Sequence, residues 1–140
     1  MKLGQRWTLL VFLGVAAACQ DGTGLSADDL EGIWVATSYE FTDNANPQSK
    51  VDVIQRDGAS FTLTVDDDGI ASTLFLNGLG SSSSDSGTMS SAGDRLTVGG
   101  VTFDASRNGD VLTLTNASAQ FDFGTGSSVP ATLQIELSRD

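Results

Sequence analysis

No histidine occurs anywhere in this 140-residue chain, and its single cysteine stands at position 19. Serine and cysteine triads of the usual type, and histidine-based zinc sites, are excluded by that composition alone. Basic residues are scarce: seven Lys and Arg against 18 Asp and Glu give a formal net charge of -11. A surface of that sign repels nucleic acid and anionic headgroups, so no nucleic-acid partner is expected. Long apolar runs are missing as well. The longest, Trp7 to Val15, falls well short of the ~20 residues that a bilayer-spanning helix needs. Carboxylates are plentiful, but nearly every Asp sits in a turn or at an outward strand position, whereas paired-carboxylate catalysis needs two of them facing one cleft. The chain is therefore expected not to be an enzyme, and to use no cofactor and no metal.

What is present begins with a leader. Lys2 and Arg6 form a basic segment, Trp7 to Val15 an apolar one, and Ala16-Ala17-Ala18 a small-residue cleavage site directly before Cys19. The pattern resembles a bacterial lipoprotein signal with its lipobox, although Ala16 stands where the commonest form has Leu. The resemblance implies a signal peptide over residues 1–18, acylation of Cys19 with palmitate-like chains, and a protein held to a membrane of the bacterial cell envelope through those chains. Gln20 is compatible with sorting to the outer membrane, again by resemblance. The alternative is an ordinary secretory signal that leaves Cys19 as a free or intermolecularly paired thiol. Lys2 and Arg6 leave with the leader, so the remaining 122 residues carry five basic and 18 acidic groups, a formal charge of -13. That length is one domain's worth.

Residues 19–24 read as the acylated cysteine and a polar, glycine-containing tether, with the folded domain over 25–140. Ser26 is placed to N-cap a single helical turn whose start is favoured by Asp28 and Asp29, with Leu25 and Leu30 turned inward as a plug. Period-two alternation follows. The expected strands are Ile33–Phe41, Val51–Gln55, Ser60–Val65, Ile70–Leu76, Ser86–Ser90, Arg95–Val98, Val101–Ala105, Val111–Thr115, Ala119–Phe123 and Thr132–Leu137. In the first of them Ile33, Val35, Tyr39 and Phe41 share one face, and Trp34 and Ala36 the other. Gly78 to Ser84 reads as a loop. Short connections such as Asp66-Asp67-Asp68-Gly69 and Asn108-Gly109 allow only antiparallel neighbours. The three consecutive aspartates read as a solvated turn or as a weak calcium site, since an EF-hand alternates its ligands. An all-β antiparallel up-and-down meander of 8 to 10 strands with one apolar face closes as a barrel or stacks as a sandwich. Sequential pairing and the need to hide edges favour the barrel.

The sequence Gly32-Ile33-Trp34, a G-x-W opening the first strand after a one-turn helix, resembles the lipocalin-like barrels and in particular small bacterial lipoproteins that carry such a domain. Gly87-Thr88-Met89 through Gly93-Asp94-Arg95-Leu96-Thr97 is similar to a later strand of those domains, with Met89 in place of an aromatic residue. The resemblance implies that Trp34 closes one barrel end beneath a basic side chain from the last strand, for which Arg139 is suitably placed. It implies ligand-binding ancestry without naming a ligand. Candidate ligand-binding residues facing the interior are Val35, Tyr39, Phe41, Phe61, Leu63, Phe103, Phe121 and Leu133. They line a cavity for a small apolar ligand, or they fill the barrel completely as small barrels are often filled. In the second case the domain is a structural or interaction lipoprotein whose loops meet an envelope protein partner.

Overall fold

The computed structural model describes residues 25–92 and 94–140, so the leader, Cys19 and the tether lie outside the described residues. Helix α1, Ala27–Leu30, opens the domain. Ser26 caps it reciprocally: its hydroxyl accepts from the Asp29 N–H at 3.2 Å, and the Asp29 carboxylate accepts from the Ser26 N–H at 3.0 Å. Strands β1, Gly32–Asp43, and β2, Lys50–Asp52, lead into helix α2, Val53–Asp57. Then come β3, Ser60–Val65, β4, Ile70–Leu76, β5, Ser82–Thr88, β6, Ser90–Ala92, β7, Arg95–Val98, β8, Val101–Asn108, β9, Val111–Phe121, and β10, Val129–Arg139.

All pairings are antiparallel, and the strand order is β5-β4-β3-β1-β10-β9-β8-β7-β6, with β2 attached to β1 alone. The fold is the all-β up-and-down barrel expected from the meander. The first and last long strands, β1 and β10, pair from Trp34↔Arg139 to Asp43↔Ala131, which turns the meander back on itself. The two ends of the path, β5 and β6, are separated in the chain only by Met89. They act as one interrupted strand that pairs with β4 before Met89 and with β7 after it. Eight strands therefore surround the barrel axis. No hydrogen-bonded ladder joins β5 to β7 among the described residues, and a seam is left in the wall there.

Inward positions carry the core: Leu30, Trp34, Leu63, Val65, Leu96, Leu112, Leu114, Ile135 and Leu137 are all essentially buried. This apolar row drives closure through the area it removes from water, at about 25 cal/mol per Å². Met89 is buried with them. Among the described residues these side chains form one contiguous apolar cluster.

The structure corrects four expectations. Trp34 points inward with no exposed surface, while Val35 faces solvent at 37% exposure, the reverse of the assigned faces. The cause is a β-bulge: Ala36 pairs with Leu137 and Ser38 with Glu136, leaving Thr37 as an extra residue. One inserted residue exchanges the two faces, so Trp34 and Ala36 precede it on the inside and Tyr39 and Phe41 follow it there. Val51–Gln55 is not one strand. Asp52 accepts from the N–H groups of Ile54 and Gln55 at 2.9 and 3.3 Å and starts α2, which Gly58 ends in the left-handed conformation. The loop expected over Gly78 to Ser84 becomes strand from Ser82 onward. Finally, Val111–Thr115 and the first part of Ala119–Phe123, as far as Phe121, belong to one strand, β9, bulged between Asn116, opposite Leu133, and Ala119, opposite Ala131.

Helix α2 meets the β4–β5 turn at Gly78. A Cβ there would overlap the Asp57 carbonyl oxygen. Gly78→Ala is expected to push the helix from the turn and to cost about 1–3 kcal/mol, read from the denaturation midpoint.

Candidate functional site

One end of the barrel is sealed. The indole of Trp34 donates to the Leu30 carbonyl at 2.8 Å, fixing α1 across the opening. The guanidinium of Arg139 lies 4.6 Å from the Trp34 ring centroid and that of Arg107 5.7 Å from it. Both also donate to the Asp29 carbonyl, at 2.9 Å and 2.7 Å respectively. Of the last carbonyls of α1, which a helix end leaves unpaired, that of Asp29 thus receives charged donors that also cover the indole, and that of Leu30 receives the indole N–H. Arg139 was legible as the closing cation. Arg107 was not, because β8 was read as ending at Ala105 and so two residues short of it.

Above this seal the interior is not filled. A cavity of about 320 Å³ is lined by Tyr39, Phe61, Leu63, Thr73, Phe75, Ser83, Asp85, Leu96, Val98, Val101, Phe103, Leu114, Asn116 and Leu133. That volume lies at the lower end of the range for small-molecule pockets, roughly 300–1,000 Å³. Its deep wall is apolar: Leu63, Leu96, Leu114 and Leu133 are buried. Toward the seam its lining residues Ser83 and Asp85 on β5 and Val101 on β8 are exposed, which places the mouth between β5 and the β7–β8 hairpin.

Of the ligand-binding residues expected from sequence, Tyr39, Phe61, Leu63, Phe103 and Leu133 line this cavity, and Val35, Phe41 and Phe121 do not. Val35 is outside for the reason given above. Phe41 and Phe121 stack on each other at 4.2 Å and 13°, beyond the cavity toward α2. Arg56 of α2 covers Phe121 at 5.5 Å and Phe123 meets it edge-on at 5.0 Å. Tyr39 connects the two regions, with ring centroids 5.6 Å from Phe41, 5.5 Å from Phe61 and 5.4 Å from Phe75.

The lining residues absent from the expected set are Thr73, Phe75, Ser83 and Asp85 on β4 and β5, Leu96, Val98 and Val101 on the β7–β8 hairpin, and Leu114 and Asn116 on β9. Phe75 was available from alternation, since Ala71, Thr73 and Phe75 share one face of β4. Ser83 and Asp85 were hidden because β5 has no apolar row to mark it as a strand. Asn116 faces inward at the β9 bulge, where its side-chain oxygen accepts from the Ser118 N–H at 2.9 Å.

The aspartate triplet forms a hairpin turn. The Asp66 carboxylate accepts from the N–H groups of Asp68 and Ile70 at 3.1 and 2.8 Å, and no group of three metal-ligating side chains occurs among the described residues.

Burial raises the Tyr39 hydroxyl above its ordinary value of 10.0. Because the folded state favours the neutral phenol, the associated stability is fully present below pH ~10 and is lost as pH rises through the elevated value. Tyr39 is the only tyrosine. Near-ultraviolet absorbance of tyrosinate therefore reads this one cavity residue, and its titration is expected above the free phenol's, with alkaline loosening of the barrel that Tyr39→Phe removes.

No protein-family model, curated protein or solved structure matches the chain.

Proposed function

We propose that this chain is a bacterial envelope lipoprotein, acylated at Cys19, whose lipocalin-like barrel holds a small, largely apolar ligand near the membrane surface, the outer membrane being the favoured location. The cavity between the Trp34 seal and the β5 seam carries the reading: a filled barrel would leave no space of about 320 Å³ bounded by aromatic and aliphatic side chains. The chemistry of the interior supports binding rather than turnover. Among the described residues Asp85 is the only carboxylate lining the cavity, and a second one for general acid and base work is not placed beside it there. Native mass spectrometry of residues 20–140 tests the ligand.

The anchor is tested separately. Cys19→Ser is expected to abolish incorporation of labelled palmitate and to release the protein from the membrane fraction, since two or three acyl chains supply the attachment and the acidic domain adds none. Persistence in the membrane without label would refute the anchor.

A structural or interaction role finds support in one place, the outer row of β4. Ile70, Leu74 and Leu76 are each 40–45% exposed there, and Leu79 at the following turn is 94% exposed. Crosslinking from a photoreactive residue at position 79 to an envelope protein, with the cavity empty in native mass spectra, would favour this second reading.

A further inference from the structure

We infer that the cavity selects an amphipathic cation, an ammonium group on a small apolar body, and excludes the corresponding carboxylate. This rests on the ligand-binding reading above and names the class of ligand. The first observation is the placement of charge. Asp85 lines the cavity at its mouth, opposite Thr73 on β4, and its carboxylate receives no hydrogen bond or ion pair among the described residues. β4 touches its backbone and the β7–β8 turn its side chain. The Thr73 hydroxyl donates to the Asp85 carbonyl at 3.5 Å, and the β7–β8 turn approaches so closely that a Cβ on Gly99 would sit 2.7 Å from the Asp85 Cβ. A free carboxylate held at the entrance of an apolar chamber is a counter-ion site.

The second observation is where the positive charges are. Every Lys and Arg among the described residues is engaged elsewhere: Lys50 with Glu40, Arg56 with Asp57, Arg95 with Asp104, and Arg107 and Arg139 at the sealed end. None lines the cavity. A fatty-acid headgroup entering by the seam would meet Asp85 with no cation to neutralise either charge, which like-charge repulsion disfavours. An ammonium meets its partner there.

The third observation is the lining beyond the mouth. The next inward pair along β4 and β5 is Phe75 and Ser83, and Phe75 belongs to the aromatic cluster of Tyr39 and Phe61. Ring faces attract cations as well as apolar groups, so a quaternary or primary amine passes from the carboxylate into a compatible chamber. The acidic surface steers cations toward the domain from a distance.

Calorimetric titration of residues 20–140 with octyltrimethylammonium, 1-octanol and octanoate, each below its micelle concentration, tests the inference. The ammonium is expected to bind about fivefold or more tighter than the alcohol, and octanoate weakest. Asp85→Asn, which keeps the shape of the side chain, is expected to reduce ammonium affinity to that of the alcohol and to leave the alcohol unchanged. Added salt lowers the ammonium advantage. Octanoate binding as tightly as the ammonium, or Asp85→Asn affecting alcohol and ammonium equally, overturns the charge selection while leaving the cavity reading intact. If none of the three binds and no ligand is found in native mass spectra, the cavity reading fails together with it.

Discussion

Trp34→Ala is expected to destabilise the barrel by about 3–5 kcal/mol, the cost of removing a fully buried large aromatic side chain from a core that cannot collapse around the void. For a domain of this size that lowers the thermal midpoint by roughly 10–20 °C. The size of the effect follows from how many structures meet at the indole. It is buried completely, its N–H holds the Leu30 carbonyl of α1, and its face supports Arg139 and Arg107. Two milder variants separate these contributions. Trp34→Phe keeps an aromatic face and loses the donor, leaving a buried carbonyl unpaired at about 1–3 kcal/mol. Arg139→Gln removes the nearer cation while Arg107 remains, and is expected to cost about 1–2 kcal/mol. Chemical denaturation of the three variants checks the order. Equal and small losses in all three would show that the seal contributes little to stability.

The second large effect concerns the cavity. Thr73→Phe combined with Ser83→Phe places two rings at the mouth, on strands where both positions already border open space. Aromatic residues suit a strand, and neither position belongs to the buried core, so the barrel is expected to keep its stability within about 1 kcal/mol. Ligand affinity is expected to fall by more than about tenfold, a change of 1.4 kcal/mol or greater. Calorimetry with octyltrimethylammonium or 1-octanol, alongside thermal melting, distinguishes blocking from unfolding. Unchanged affinity in a folded double variant would place the ligand somewhere other than this cavity.

Much of the fold was readable from alternation because most strands have one buried and one wet face. β3 is the clearest case, with Phe61, Leu63 and Val65 buried and threonines between them. The failures share physical causes. A bulge is invisible to a period-two pattern, since Thr37 differs in no chemical respect from the threonines around it, yet it exchanges Val35 for Trp34 on the inside. The G-x-W resemblance pointed to Trp34 as the closing residue while strict alternation from Tyr39 and Phe41 put it outside, and only the bulge reconciles the two. In α2, Val53 and Ile54 are strand formers that a short capped turn overrode, so the informative residues were Asp52 and Gly58 at its ends. β5 failed for the opposite reason. Its sequence is serine, aspartate, glycine and threonine, and it is a strand only because β4 offers an edge to pair with.

That last failure also explains why the β5 side of the candidate site was missed. Sequence patterning finds side chains that are buried, and it therefore found part of the deep wall, Phe61, Leu63 and Leu133, while Leu96 and Leu114, equally buried, were read as strand residues without being assigned to the cavity. The mouth is made of residues that face inward without being buried, and no hydrophobic pattern marks them. Asp85 is the most consequential of these, a cavity-lining carboxylate that fell between the expected loop Gly78–Ser84 and the expected strand Ser86–Ser90.

The central claim is that the barrel interior is occupied by a ligand, and native mass spectrometry of residues 20–140 secreted from a bacterial host tests it most directly. Comparison of the native mass with that of the denatured chain is expected to show a reproducible added mass, released on unfolding and diminished in the Thr73→Phe, Ser83→Phe variant. Identical native and denatured masses, persisting after incubation with octyltrimethylammonium, fatty acids and phospholipid, would contradict it.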